Sequence, residues 1–209
     1  MFVDIRSAWT DASSCQIPQK HPCLRVAINT SDQLTNLIAE HIDLSFRASS
    51  TELDDSSLVI RPAGSLPIVL ATHPDLIAQS SQFIAADRLD ILALITLGTH
   101  TTPKTLKFFT SDGRHTSINC TPSLVCNNMS VLQSAVVSGL GAAMLPRYLC
   151  AEAISDGTLV NVIAPDSGWT RAPSLVRALI LMRKGISLIT HAFIKYSASP
   201  SKQLLRVER

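Results

Sequence analysis

The polar residues best placed to bind a small molecule form the cluster Asn127–Ser130, which opens a predicted helix. Asn128 or Ser130 can cap that helix, because a short side-chain oxygen satisfies an orphan backbone N–H. A helix start also offers further N–H groups and a partial positive charge, so it can hold an anion. The same pattern fits one unit of an α/β core without a ligand, and physical chemistry alone favours that simpler interpretation.

The cysteines and histidines do not form a catalytic or metal-binding pattern. The five cysteines include no CxxC pair and the six histidines no HExxH, which argues against a zinc site. Phosphate-loop motifs and the GxSxG elbow are also absent. Cys126, at a strand end, could be a nucleophile, but no histidine can be assigned as its base. We therefore predict no enzyme, metal or cofactor, and keep a small α/β enzyme using Cys126 as an alternative.

Composition excludes several classes of protein. Of the 209 residues, 46% are hydrophobic and 16% charged, which suits a folded core rather than a disordered chain. The net charge of +2 and the lack of long basic runs argue against direct nucleic-acid binding. The longest apolar run, near Ile91–Leu97, is too short to span a membrane. The first residues do not resemble a signal peptide, so we expect a cytoplasmic location.

Strands and helices alternate along the chain, which predicts an α/β fold. Strand Leu24–Asn29, helix Asp32–His41 and strand Ile42–Arg47 form a βαβ unit with parallel strands. A hairpin turns at Ser111–Arg114, and Gly139 ends the helix that follows Asn128. Long segments near 66–72 and 159–175 suggest two subdomains that exchange the chain twice. The predicted divisions are 1–69 and 163–197 for the first subdomain, 70–162 for the second, and a tail at 198–209.

The order of motifs resembles the effector-binding domain of a LysR-type transcriptional regulator. The segment SDQLTNLIAEHIDLSFR is similar to the family pattern of Ser-Asp, Leu-Ile, an acidic residue, Ile-Asp-Leu and Arg. The run from Ala135 to Pro146 resembles the family's Gly-x-Gly strand motif. The resemblance is carried by 21–49, 55–77, 135–165 and 191–197, so it covers most of 21–197 in the family's order.

This resemblance implies a type 2 periplasmic-binding-protein-like fold, with two Rossmann-like subdomains, two chain crossovers and a cleft for a small effector. Carried over by position, the effector-binding residues are Thr30, Ser31, Arg47, Ser49, Gly98, Thr99, Asn128, Met129 and Ser130. Arg47 could pair with an effector carboxylate, or could form a surface or interdomain ion pair. The resemblance also implies a homo-oligomer or pairing with a full-length regulator, and a role in switching transcription.

The chain departs from the family pattern in two ways. Neither a winged helix-turn-helix nor a linker helix is visible, so DNA contact is expected only through a domain absent from this chain. Residues 1–23 look shortened, with Pro18 where the family has a helix, and Ser7 and Thr10 are the nearest substitutes for a cleft loop. The chain is then an excised domain or a truncated gene product. A fragment that acts only through oligomerisation is the alternative function.

Overall fold

The computed structural model describes residues 2–5, 25, 27–30, 36–49, 58–78, 92–163 and 167–181. The chain divides into two compact units, unit 1 with Met1–Leu66 and Ser174–Arg209, and unit 2 with Pro67–Pro173. The sequence predicts these divisions after 69 and after 162. The predicted tail at 198–209, Ser7, Thr10 and Ser31 all lie outside the described residues.

Unit 1 contains one mixed sheet with the strand order β2-β1-β3-β13-β4. Strands β1, β2 and β3 are parallel, and β13 is antiparallel to both β3 and β4. The strands are β1 (Phe2–Ile5), β2 (Ala27–Thr30), β3 (Leu44–Ser49), β4 (Leu58–Leu66) and β13 (Ser174–Leu181). The predicted βαβ strands are indeed parallel, but β1 lies between them. Of the predicted helix Asp32–His41, the described part, 36–41, forms hydrogen-bonded turns.

Unit 2 is built on a second mixed sheet with the order β11-β5-β10-β6-β9. Strands β6, β9 and β10 run in one direction, and β5 is antiparallel to its neighbours β10 and β11. The elements are β5 (Ile68–Thr72), α1 (Pro74–Ala78), β6 (Leu94–Leu97), β7 (Lys104–Thr110), β8 (His115–Cys120), β9 (Leu124–Cys126), α2 (Met129–Val137), β10 (Ala142–Pro146), α3 (Arg147–Ser155), β11 (Val160–Asn161) and β12 (Trp169–Thr170).

Alternate residues of the unit 2 sheet enter two different apolar cores. One core joins Leu70, Leu94 and Ala142 with the inward residues of β7, and the other joins Ala71, Ile95 and Ala143 with α2 and α3. This alternation is the period-2 pattern of a strand that is buried on both faces. The sheet therefore lies between a layer of helices and a layer of strands, which hold its parallel strands in fixed register.

A small three-stranded sheet, with the order β12-β7-β8, forms the second of these layers. The predicted hairpin is confirmed, since β7 and β8 pair around a turn that contains Gly113. Strand β12 has only two residues, which form a strand by pairing with β7. The Arg114 guanidinium lies 5.8 Å from the centre of the Trp169 ring and binds Asp112 at 2.8 Å. These contacts tie the hairpin tip to β12.

Candidate functional site

The carboxyl ends of β6 and β9 bring five of the predicted effector residues together in unit 2. The two strands are parallel neighbours, with Leu97 opposite Cys126. The Gly98 N–H donates to the Cys126 carbonyl at 2.7 Å, so the chain after β6 stays beside the chain after β9. Gly98 and Thr99 thus follow one strand end, and Asn128, Met129 and Ser130 follow the neighbouring one, at the sheet edge where α/β proteins commonly bind ligands.

Asn128 is the N-cap of α2, and it is one of the two residues predicted to cap this helix. Its side-chain oxygen accepts hydrogen bonds from the N–H groups of Ser130 at 2.9 Å and Val131 at 3.1 Å. Two of the N–H groups that were predicted to be open to an anion are therefore already satisfied within the chain. The Asn128 side-chain NH₂ takes no part in this cap and can donate to a ligand.

The other residues at this edge differ in exposure. Thr99 and Ser130 are exposed and present hydroxyl groups, whereas Met129 is half-buried and packs against the core beneath α2. A hydroxyl can both donate and accept a hydrogen bond, and a thioether mainly adds apolar contact. This edge of unit 2 therefore offers neutral hydrogen-bonding groups beside an apolar side chain.

Helix α2 is held firmly at its opposite end. Gly139 has a φ of +73°, and its N–H donates to the Val136 carbonyl at 3.0 Å, while the Leu140 N–H donates to the Ala135 carbonyl at 3.1 Å. This pair of bonds is a Schellman motif, in which glycine takes the left-handed position. The prediction that Gly139 ends the helix is confirmed. A helix fixed at both ends keeps its first turn in place at the sheet edge.

Unit 1 carries the remaining predicted residues at the ends of its own parallel strands. Thr30 is the last residue of β2, Ser49 is the last residue of β3, and Arg47 lies two residues earlier in β3, half-buried. Strand β1 separates the two strands, with Ile5 opposite both Thr30 and Phe46. Ser31 is outside the described residues. Arg177, which no sequence motif indicates, lies opposite Arg47 across the sheet.

The Cys126 thiol lies beside the first turn of α2. It donates a weak hydrogen bond to the Asn128 carbonyl at 3.5 Å, and a carbonyl oxygen cannot serve as the base that a nucleophilic cysteine needs. Burial raises the pKa of the Cys150 thiol to about 11, so that thiol stays protonated at neutral pH. No group of three or more His, Cys, Asp or Glu that could hold a metal ion is found in the part of the chain that the structure describes.

Replacing Asn128 with alanine is expected to lower the free energy of unfolding by about 1 kcal/mol, because two N–H groups of α2 lose their acceptor. Its neighbour Asn127 is exposed and lies outside the cap, so Asn127→Ala should change stability by less than about 0.5 kcal/mol. Chemical denaturation of both variants measures the difference. Equal losses in the two variants would contradict a capping role for Asn128.

Comparison with known proteins decides the family. Residues 16–197 match the family model of the LysR substrate binding domain. The chain belongs to this family. This family is a regulatory substrate-binding domain and not an enzyme, and two of the matching relatives, from Neisseria meningitidis and Xanthomonas campestris, are named as HTH-type transcriptional regulators. The enzyme alternative that used Cys126 is therefore set aside, and the predicted α/β, periplasmic-binding-protein-like fold is confirmed.

Two relatives that are named as HTH-type transcriptional regulators agree with this assignment. The HTH-type transcriptional regulator CrgA of Neisseria meningitidis serogroup C is 24% identical over 181 residues, which cover 85% of this chain and 58% of that protein. YhjC of Escherichia coli, an uncharacterized HTH-type transcriptional regulator, is 22% identical over 88% of this chain and 60% of that protein. This LysR-family chain thus spans little more than half the length of such relatives.

Two solved structures share the fold. CrgA of Neisseria meningitidis superimposes with a TM-score of 0.76 at 18% identity, over 96% of this chain and 68% of that one. The Vibrio cholerae virulence activator AphB gives a TM-score of 0.74 at 21% identity, over 95% of this chain and 67% of that one. At this level of identity the likeness establishes the LysR-domain fold alone. Within the described residues, no helix is long and apolar enough to cross a membrane.

Proposed function

We propose that this domain senses a small-molecule effector, and that the effector contacts the unit 2 sheet at the ends of β6 and β9. The observation that carries the proposal is the parallel pairing of these strands, which places Gly98 and Thr99 beside Asn128, Met129 and Ser130. Membership of a regulatory substrate-binding family supports the sensing role. Thr30, Ser31, Arg47 and Ser49 remain the predicted effector residues of unit 1.

The groups at this edge define what part of an effector would bind there. Thr99 and Ser130 present hydroxyls, Asn128 presents its side-chain NH₂, and Met129 presents apolar surface. Such a set suits a neutral polar group attached to an apolar body, since each hydroxyl can donate or accept. The two α2 N–H groups bound by Asn128 are unsuited to an anion unless that cap is displaced.

The wider roles of the domain are also part of the proposal. We place it in the cytoplasm, in a homo-oligomer or paired with a full-length regulator of its family, with DNA contacted only through a helix-turn-helix domain. CrgA and YhjC are named as HTH-type transcriptional regulators, which supports DNA contact through a separate helix-turn-helix domain. Light scattering of the purified chain across a concentration series would test the oligomer, and a monomer at every concentration would contradict it.

A thermal-shift screen against small metabolites, including carboxylates, tests effector binding. A ligand that binds only the folded state adds about 2.7 kcal/mol of stability at a hundredfold excess over its dissociation constant. We expect one chemical class to give a saturable shift. In Thr99→Val, which removes the hydroxyl and keeps the side-chain shape, affinity for that ligand should fall about tenfold, because a hydrogen bond is lost.

Thr101→Val is the matched control, since Thr101 is an exposed threonine two residues further along the same loop. Its affinity for the ligand should equal that of the unmodified chain. A ligand whose affinity is unchanged by Thr99→Val, by Ser130→Ala and by Asn128→Ala would contradict this location for the effector.

A further inference from the structure

Arg171, the first residue after β12 in unit 2, has a guanidinium N–H group that is buried without an acceptor. The residue as a whole is half-buried, but its Nη1 atom is out of contact with water, and no atom of the described residues accepts a hydrogen bond from it. Buried polar groups of side chains are nearly always hydrogen-bonded in folded proteins. An arginine cannot remove the cost by losing its proton, because its guanidinium stays charged in proteins. The position therefore needs an acceptor.

A second arginine that contacts β12 shows how unusual this is. The Arg114 side chain is 69% exposed, and it nonetheless has the Asp112 carboxylate at 2.8 Å and the Trp169 ring as partners. Arg171 is more buried, and the described residues supply no ion pair for it. Burial lowers the pKa of Arg171, with no charged neighbour to oppose that effect. A charge that is taken out of water without a partner lowers stability, so an added anion would restore it.

The direction of the chain after β12 leads from the hairpin tip toward the candidate site. Strand β12 is antiparallel to β7, and its last residue, Thr170, lies opposite Phe109. The chain that leaves β12 at Arg171 is therefore directed toward the start of β7 at Lys104. That start directly follows the loop that carries Thr99. Arg171 is thus displaced from the hairpin tip in the direction of this loop.

We propose that Arg171 binds a small oxyanion, a carboxylate or a phosphate group, of a molecule from solution. The planar fork of guanidinium N–H donors matches two oxygens of such a group, and an ionised acceptor strengthens these hydrogen bonds. The anion approaches from the exposed part of the side chain, and the Nη1 group turns toward it without breaking an existing hydrogen bond.

The oxyanion is either a free anion or the charged group of the effector. In the second case the inference rests on the proposed function and extends it. The ends of β6 and β9 then bind the neutral polar part of the effector, and Arg171 binds its charged part. This division agrees with the N–H groups at the start of α2, two of which are already occupied by Asn128.

The stability of Arg171→Met without any ligand is the first test. Methionine keeps an unbranched side chain and removes the charge. Replacing a buried charge that has no partner should leave the melting temperature unchanged or raise it, because the desolvation cost disappears. A clear fall in the melting temperature, or loss of cooperative melting, would mean that Arg171 is already paired within the chain and would overturn the proposal.

Inorganic phosphate and acetate serve as probes, each compared with sodium chloride at constant ionic strength. The melting temperature of the purified chain should rise saturably with at least one of them. The affinity for that anion should fall about tenfold or more in Arg171→Met, and severalfold in Arg171→Lys, which keeps the charge without the fork. Arg114→Met is the matched control and should bind as the parent chain does, since its guanidinium is already paired with Asp112.

Absence of an oxyanion effect beyond that of chloride would overturn the proposal, and so would equal anion affinity in Arg171→Met and Arg114→Met. Loss of both oxyanion and effector binding in Arg171→Met would show that the anion is the charged group of the effector. An effector that depends on Thr99 but not on Arg171, with no oxyanion effect, would uphold the proposed function and overturn this inference. Oxyanion binding that depends on Arg171, without any effector that depends on Thr99, would do the reverse.

Discussion

Gly141→Ala is expected to lower the free energy of unfolding by about 3–4 kcal/mol, since overpacking with backbone displacement ranks among the costly substitutions. A Cβ at this position would lie far inside van der Waals contact of the Ala93 carbonyl oxygen and 3.0 Å from Ile95 Cγ1. That carbonyl also accepts the Ala142 N–H at 2.8 Å, where β10 joins β6. Neither backbone can move without opening this junction.

Gly157→Ala is the matched control for this effect. Gly157 has a φ of +81°, but a Cβ there would meet nothing within 4 Å. Alanine at 157 should therefore cost only the left-handed backbone strain, about 1 kcal/mol. Guanidinium denaturation gives the free energy of unfolding of both variants. The part of the Gly141 loss that exceeds the Gly157 loss measures the close approach of the two backbones. A loss at Gly141 no larger than at Gly157 would contradict the close approach of β10 to the residue before β6.

Phe108→Ala is expected to lower the free energy of unfolding by about 3–5 kcal/mol, while the same change at the next residue, Phe109→Ala, should cost far less. Phe108 is 1% exposed in the core between the small sheet and the unit 2 sheet, and Phe109 is 39% exposed on the opposite face of β7. The pair compares one amino acid in two environments at adjacent positions. If the m-values of the two variants are equal, their denaturation midpoints give the two losses in free energy of unfolding.

Equal losses for the two phenylalanines would mean that β7 does not pack on the unit 2 sheet with the register described. The Phe108 cavity should also loosen β6, because Leu94 belongs to the same core. Amide hydrogen exchange in Phe108→Ala should therefore be faster in β6 than in the parent chain, since exchange reports local opening. Unchanged hydrogen-exchange protection of β6 would show that the Phe108→Ala cavity loosens only the hairpin.

Much of the local structure could be predicted because local chemistry determines it. The hairpin depends on Asp112–Gly113 between two strand patterns, and Gly113 indeed takes a φ of +87°. The end of α2 at Gly139 follows from a glycine preference of the same kind. Such signals lie within a few residues of one another, so the sequence alone displays them.

The features that could not be predicted depend on pairing between distant segments. Strand β1 lies between β2 and β3. This strand order depends on the pairing of all the strands and is not specified by the sequence of any one of them. Strand β12 has only two residues and carries no pattern of its own. The opposition of Arg47 and Arg177 needs the register of β3 against β13, which neither strand's sequence specifies.

The candidate site could be predicted in part, for the same reasons. The resemblance placed residues after β6 and at the start of α2, and the parallel pairing of β6 with β9 then brings them together in unit 2. Which of Asn128 and Ser130 caps the helix could not be decided from sequence, because both have a side-chain oxygen at a suitable position. The structure assigns the cap to Asn128, which changes the ligand chemistry expected at that helix start.

The most direct test of the central claim is an amide NMR titration of the purified chain with the ligand class found by thermal shift. Chemical-shift changes should be largest at Gly98, Thr99 and Asn127–Ser130, and small in β8, whose outward residues His115, Ser117 and Asn119 are exposed on the small sheet. Saturating shifts at those positions would place effector binding at the ends of β6 and β9. Saturable binding that leaves these amides unshifted would contradict the account.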